Sequence, residues 1–116
     1  MYRIGEFAEM TGLSKETLRY YEEIKLLEPV RIDPKNKYRY YDNHSYLIAR
    51  ILVHLRMFQF TIQEMLAAVH EKSFEQLEST LLEKRSGLEK EIARLQGIVN
   101  SIDEFMAVGY EEADKT

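Results

Sequence analysis

Apolar residues follow a helical spacing over most of this chain and alternate only in one short stretch. Ile4, Phe7 and Ala8 recur at helical intervals and stop at Thr11-Gly12, which predicts a helix of about two turns. Ser14 stands at an N-cap position ahead of SKETLRYYEEI, where Leu18 and Tyr21 share one side of a second short helix. Ala8, Gly12 and Leu18 occupy the places where a helix-turn-helix needs a small residue at the crossing, a turn residue tolerant of positive φ, and an apolar anchor. Taken alone, that pattern also occurs in unrelated helix pairs.

After Leu26-Leu27 the register changes. Pro29 stops the helix, Val30-Arg31-Ile32 and Tyr38-Arg39-Tyr40-Tyr41 read as short strands, and the turn formers of DPKNK lie between them. Alternation in this hairpin sets Tyr38 and Tyr40 on one face and Arg39 and Tyr41 on the other, so one row can pack against the helices. From Ser45, the residues Leu47, Ile48, Ile51, Leu52, Leu55 and Phe58 mark a third helix. Thr61-Ile-Gln-Glu64 is a capping box that opens a fourth through Met65, Leu66 and Val69. Only Gln59-Phe60 separates the two, which makes a second tight helix pair.

The last segment runs without proline from Phe74 to about Met106. Phe74, Leu81, Leu88, Leu95 and Ile102 repeat every seven residues, and a companion row passes from Leu77 to Ile92, Val99 and Met106, interrupted at Lys84-Arg85. A helix of this length would extend about 50 Å, beyond any core the preceding residues could supply. Its stripe predicts a partner, most simply a second copy in a twofold dimer, the alternative being a helix folded back on its own domain. The expected organisation is a domain over residues 1–72, a dimerisation helix over 73–108, and a flexible acidic tail over 109–116.

Composition narrows the chemistry. With 116 residues, 45% of them hydrophobic, the chain can bury one ordinary core. It has no cysteine, hence no disulfide or thiolate metal site, which suits a cytoplasmic protein. No window approaches the length of a membrane span and no apolar run suits a signal peptide. The net charge of −4 is uneven: residues 1–60 hold ten Lys/Arg against eight Asp/Glu, and residues 61–116 hold six against twelve. Between Arg31 and Arg56 six basic residues face two acidic ones, so a polyanion touched by one face is the natural partner. A solvated, lysine-rich loop is the plainer alternative.

Arg19, Tyr20 and Tyr21 sharpen the expectation. Adjacent helical residues point about 100° apart, so if Tyr21 joins Leu18 in the core, Tyr20 lies outside beside Arg19. An exposed tyrosine can brace a sugar and donate to phosphate, arginine can contact phosphate or guanine, and Thr17 can reach a thymine methyl or a phosphate. Packing beneath the basic hairpin is the other use open to Tyr20. His44, His54 and His70 lack a shared metal-ligand spacing, and no catalytic motif or phosphate-cradling loop is present, so neither an enzyme nor a bound cofactor or metal is expected.

YRIGEFAEMTGLSKETLRYYEEIKLLEP, then YRYYD, then LRMFQFTIQEM and the long terminal helix resemble the MerR family of bacterial transcription regulators over residues 2 to about 106, and DPKNKYRYYD looks most like its multidrug-responsive BmrR-like branch. The resemblance implies a mainly α fold: a winged helix-turn-helix DNA-binding domain with a small β-hairpin wing, followed by a long dimerisation helix in an antiparallel coiled coil. It implies a homodimer on a palindromic promoter operator that bends and untwists spacer DNA so that RNA polymerase can engage both promoter elements. It places Arg19, Tyr20 and Tyr21 on the recognition helix, Tyr20 and Arg56 on the backbone near the distorted centre, and Arg39 in the first wing. Lys15, Thr17, Lys37 and Tyr38 complete the candidate DNA-contacting set. Phe74, Leu77, Leu81, Leu88, Ile92, Leu95, Val99, Ile102 and Met106 form the candidate dimer interface.

Lys25 and Gln59 depart from the family, which usually carries glycine there, where a left-handed residue ends each helix. Without cysteine, the metal-sensing, iron–sulfur and thiol-reactive branches are excluded, leaving a small-molecule effector. Either a C-terminal drug-binding domain is absent from this chain, as the wing favours, or a small member senses at the dimer seam. A rival function is a coiled-coil interaction module whose basic hairpin binds an acidic protein.

Overall fold

The computed structural model describes residues 1–70 and 73–114; for residue 74 and residues 110–114 it describes the backbone only. Helices α1 (Ile4–Thr11) and α2 (Lys15–Glu23) form the expected corner. Gly12 takes φ 80° and donates its N–H to the Ala8 carbonyl at 2.9 Å, a left-handed stop that costs glycine little. Ser14 Oγ accepts the Thr17 N–H at 3.0 Å and caps α2. Phe7 and Leu18 are fully buried and Tyr21 is nearly so, each such side chain contributing about 1.5–3 kcal/mol of transfer free energy.

The sheet has three strands rather than a bare hairpin: β1 (Tyr2–Arg3), β2 (Arg31–Ile32) and β3 (Arg39–Tyr41), in the antiparallel order β1-β3-β2. The hairpin strands are each one residue shorter than the alternation suggests, because Val30 and Tyr38 lie just outside the ladder. Of the two rows, that of Arg39 and Tyr41 packs inward. Tyr41 is fully buried and stacks on Phe7, with ring centroids 4.3 Å apart and planes 8° from parallel.

Helix α3 (Asn43–Met57) begins before Ser45 because Asp42 caps it, its Oδ1 accepting the Ser45 N–H at 2.8 Å and the Ser45 hydroxyl at 2.9 Å. These hydrogen bonds hold the Asp42 carboxyl below its ordinary pKa. Ala49, Leu52 and Leu55 carry the buried stripe, whereas Leu47 and Phe58 face outward. Helix α4 (Ile62–His70) opens on the anticipated capping box: Thr61 N–H donates to Glu64 Oε1 at 2.9 Å and Glu64 N–H to Thr61 Oγ1 at 3.1 Å.

Helix α5 (Phe74–Asp114) is 41 residues long and passes the expected end near Met106. A lone glycine such as Gly109 weakens a helix by about 1 kcal/mol without stopping it. The chain divides into two units between Lys72 and Ser73. The first has its own core, built from Phe7, Leu18, Tyr21, Leu26, Tyr41, Leu52, Leu55 and Met65. No helix among the described residues is long and apolar enough to cross a membrane.

Candidate nucleic-acid interface

Helix α2 carries the central part of the site. Its buried side is Leu18 and Tyr21, while Lys15, Arg19 and Tyr20 are exposed, Tyr20 by 46%. Tyr20 leans on Tyr21 with centroids 6.2 Å apart, so the core fixes the base of an outward ring. Tyr21, which the resemblance sets among the DNA-contacting residues, is 2% exposed, so its ring sits mostly in the core while the residue also lines the recess beside Tyr20. Thr17 is half-buried and its hydroxyl bonds to Ser14 Oγ at 2.9 Å, so part of its hydrogen-bonding capacity is already used in the cap.

Two open recesses gather the other candidates. The first, about 440 Å³, is lined by Lys15 and Arg19 of α2, Lys37, Tyr38 and Arg39 of the hairpin, and the segment Arg3 to Glu6. The second, about 350 Å³, is lined by Thr17, Tyr20 and Tyr21 of α2, Arg56 of α3, and Phe60 to Ile62 with Met65. Helix α2 thus contributes Arg19 to the first, cation-rich recess and Tyr20 to the second, beside Arg56.

The stops of α2 and α3 hold this arrangement. After α2, Leu26 N–H donates to the Tyr21 carbonyl at 2.8 Å and Lys25 N–H to that of Glu22 at 3.0 Å. After α3, Phe60 N–H donates to the Leu55 carbonyl at 3.0 Å and Gln59 N–H to that of Arg56 at 3.1 Å. Both are Schellman closures, with Lys25 at φ 61° and Gln59 at φ 65°. Both non-glycine positions thus keep the left-handed conformation for which the family usually carries glycine, and the second closure fixes the backbone that carries Arg56. His70 Nε2 lies 2.6 Å from the Lys25 carbonyl and ties the end of α4 to the end of α2, while His54 Nδ1 is engaged with the Arg50 carbonyl at 2.8 Å.

The wing has internal order. Asp33 Oδ1 accepts the Lys35 N–H at 2.8 Å and the Asn36 N–H at 3.3 Å, which holds its carboxyl below the ordinary pKa. Lys37, at φ 64°, closes the turn by donating its N–H to the Asp33 carbonyl at 2.8 Å. Arg39 differs from a free wing arginine: its Nε donates to Glu22 Oε2 at 2.6 Å and its side chain is only 35% exposed. Seventeen residues separate that pair, which no local pattern signals.

Along α5 the candidate stripe is open in the single chain. Leu77 and Leu81 are half-buried, whereas Leu88, Ile92, Leu95, Val99, Ile102 and Met106 are exposed, Ile92 by 66%. Phe74 opens the helix, but its side chain lies outside the described residues. Ile98 and Phe105 are also exposed beside the stripe and were not among the expected seam.

Comparison with known proteins agrees with this geometry. Residues 2–68 match the family described as MerR HTH family regulatory protein. The chain is similar to the multidrug-efflux transporter 1 regulator of Bacillus subtilis, with 33% identity over 64 residues, 55% of this chain and 23% of that protein. Among solved structures, it is similar to the N-terminus of MtaN, the Bacillus subtilis multidrug transporter activator, with a TM-score of 0.81 and 23% identity over 91% of this chain and 98% of that one. It is also similar to EcmrR in its DNA complex, with a TM-score of 0.69 and 28% identity over 90% of this chain and 38% of that one. The chain spans between 23% and 41% of the length of the curated relatives it matches first.

Proposed function

From its membership of the MerR HTH family of regulatory proteins, to which this chain belongs, we propose that it is a transcriptional regulator that binds a palindromic promoter operator as a homodimer. Residues 1–72 bind the DNA, and residues 73–108 pair the subunits in an antiparallel coiled coil. The single observation that carries the reading is the outer face of α2: Arg19 and Tyr20 stand exposed over a buried Leu18-Tyr21 pair, Arg19 in a recess rich in cations and Tyr20 in one that it shares with Arg56.

Helix α2 enters the major groove, where Arg19 reads a base edge or grips phosphate, while Tyr20 and Arg56 hold the backbone from the second recess. Lys15, Lys37, Tyr38 and Arg39 fix the flanking strand from the first recess, and Thr17 acts from the N-terminus of α2. Two copies joined through the apolar stripe of α5 present two such faces to successive turns of the duplex. Gripping both ends bends and untwists the spacer, and that deformation controls access by RNA polymerase. A small-molecule effector shifts the balance between the deformed and relaxed complexes.

The test is a titration of promoter-length duplexes with the wild-type protein across a salt series. Binding should need an intact palindrome and weaken steeply as salt rises. Tyr20→Ala and Arg56→Ala should each weaken it without dissociating the dimer. Binding indifferent to sequence, or unchanged affinity in both variants, would instead favour a basic adaptor for an acidic protein.

A further inference from the structure

The N-terminal segment before α1 had no part in the expected site, yet Arg3 opens into the recess that holds Lys15, Arg19, Lys37 and Arg39. Its guanidinium lies over the Tyr38 ring, 3.8 Å from the centroid. Stacking of this kind fixes the plane of an arginine while leaving its N–H edges free for a two-pronged contact with a tetrahedral anion. The backbone of Arg3 is itself anchored, since β1 pairs it with Tyr40 of β3.

The charge balance of the recess is one-sided. Glu22 occupies Arg39, and Glu6 lines the recess with its Oε1 3.5 Å from the Arg3 backbone N–H. No ion pair engages Arg3, Lys15, Arg19 or Lys37 among the described residues. Four cations from three separate elements therefore converge on an open hollow with one carboxylate at its side. Such an arrangement is costly in self-repulsion unless an anion enters.

We propose that Arg3, clamped on Tyr38, forms with Lys15, Arg19 and Lys37 a cradle for one backbone phosphate of duplex DNA. The inference rests on the DNA-binding reading above and adds to it a residue and a stacking platform. Lys15 sits in the first turn of α2, so a phosphate held here sets how deeply and in what register the recognition helix lies. A phosphate contact positions without reading sequence. Losing it should therefore weaken specific and non-specific complexes alike.

The experiment measures fluorescence anisotropy against an operator selected from random-sequence duplex by the wild-type protein, and against a scrambled duplex, over a salt series. Arg3→Ala should lower affinity for both by roughly tenfold and make the log–log salt slope shallower by about one for each protomer. Arg3→Lys keeps the charge but not the fork or the stack, so it should keep the slope and lose part of the affinity. Tyr38→Leu should behave like Arg3→Lys, because the charge remains while its clamp is gone. A neutral methylphosphonate at the cradled position should weaken the wild-type complex more than the Arg3→Ala complex, in which Lys15, Arg19 and Lys37 still face that phosphate.

Circular dichroism monitors folding, and if Arg3→Ala fails to fold, the two charge-preserving variants and the methylphosphonate decide. Wild-type binding matched by Arg3→Ala in affinity and slope overturns this inference alone. A loss of affinity with an unchanged slope does so too, since it marks a merely structural role. A wild-type protein that binds no duplex overturns the DNA-binding reading and this cradle with it.

Discussion

At the residue scale, Tyr41 is the most unusual side chain in the domain. Its ring is fully buried against Phe7, and among the described residues its hydroxyl has no hydrogen-bond partner. A buried hydroxyl left in this way forgoes its hydration and costs about 1–3 kcal/mol. Burial, assisted by the nearby Glu22 charge, pushes its pKa up from 10.0 to about 12. The unfolded chain therefore loses this proton near pH 10 while the folded one keeps it. The stability attached to the neutral ring is fully present below pH 10 and is lost as pH rises through about 12. Tyr41→Phe removes both the unpaired oxygen and the titration. Urea unfolding should find the variant as stable as the wild type at neutral pH, or about 1 kcal/mol more stable, with a flatter decline between pH 10 and 12. A large loss at neutral pH would mean that the hydroxyl has a partner after all. No pattern in the chain signals this: YRYY offers four polar-tipped positions, and only the inward choice of row makes one of them an orphan.

At the scale of elements, the sequence was most legible where chemistry is local. Ser14, Gly12 and the Thr61-Glu64 box act within one turn of their own helices, and each is found doing so. Features that depend on distant pairing were not legible. Strand β1 is two residues long and exists only because β3 offers an edge, and Arg39 turns inward only because Glu22 arrives beside it through the fold. The recess around Arg3 shares this cause, since Arg3 and Tyr38 are 35 positions apart in the chain and no periodicity links them. The helix stops after α2 and α3 lie between these extremes. Their need for a left-handed residue could be anticipated, while the occupants Lys25 and Gln59 pay a steric cost that glycine avoids. Lys25→Gly and Gln59→Gly should each raise unfolding stability by about 1 kcal/mol, because the Schellman bonds use only backbone atoms and the His70 contact goes to the Lys25 carbonyl. The gain should be close to additive in the double variant, as the two closures end different helices. Thermal melts of the single and double variants test this, and a drop on either substitution would mean that the lysine or glutamine side chain contributes more than its backbone costs.

At the scale of the whole molecule, the decisive quantity is the apolar face of α5. Leu88, Ile92, Leu95, Val99, Ile102 and Met106 are exposed on one helix, and a soluble single chain seldom leaves so long a stripe facing water. Pairing through it offers a second benefit besides burial. Each α2 gripping one half-site alone is a weak contact, whereas two linked faces bind with the second event made intramolecular, raising affinity by orders of magnitude without a new contact. In the proposed dimer, subunit pairing and operator affinity are therefore coupled, and a substitution far from any candidate DNA-contacting residue should affect both. Ile92→Glu with Val99→Glu provides the test. Both positions are exposed in the single chain, and glutamate is a good helix former, so the helix and the separate core of residues 1–72 should remain intact while four carboxylates meet across the seam. Sedimentation should find a monomer, circular dichroism an unchanged helix content, and operator binding a fall of at least tenfold with the preference for a palindrome over a half-site gone. Retention of a dimer would assign the subunit contact to another surface, with the exposed Ile98 and Phe105 beside the stripe the first place to look. A monomer that still prefers the palindrome would show that the two faces are joined by the DNA rather than by α5.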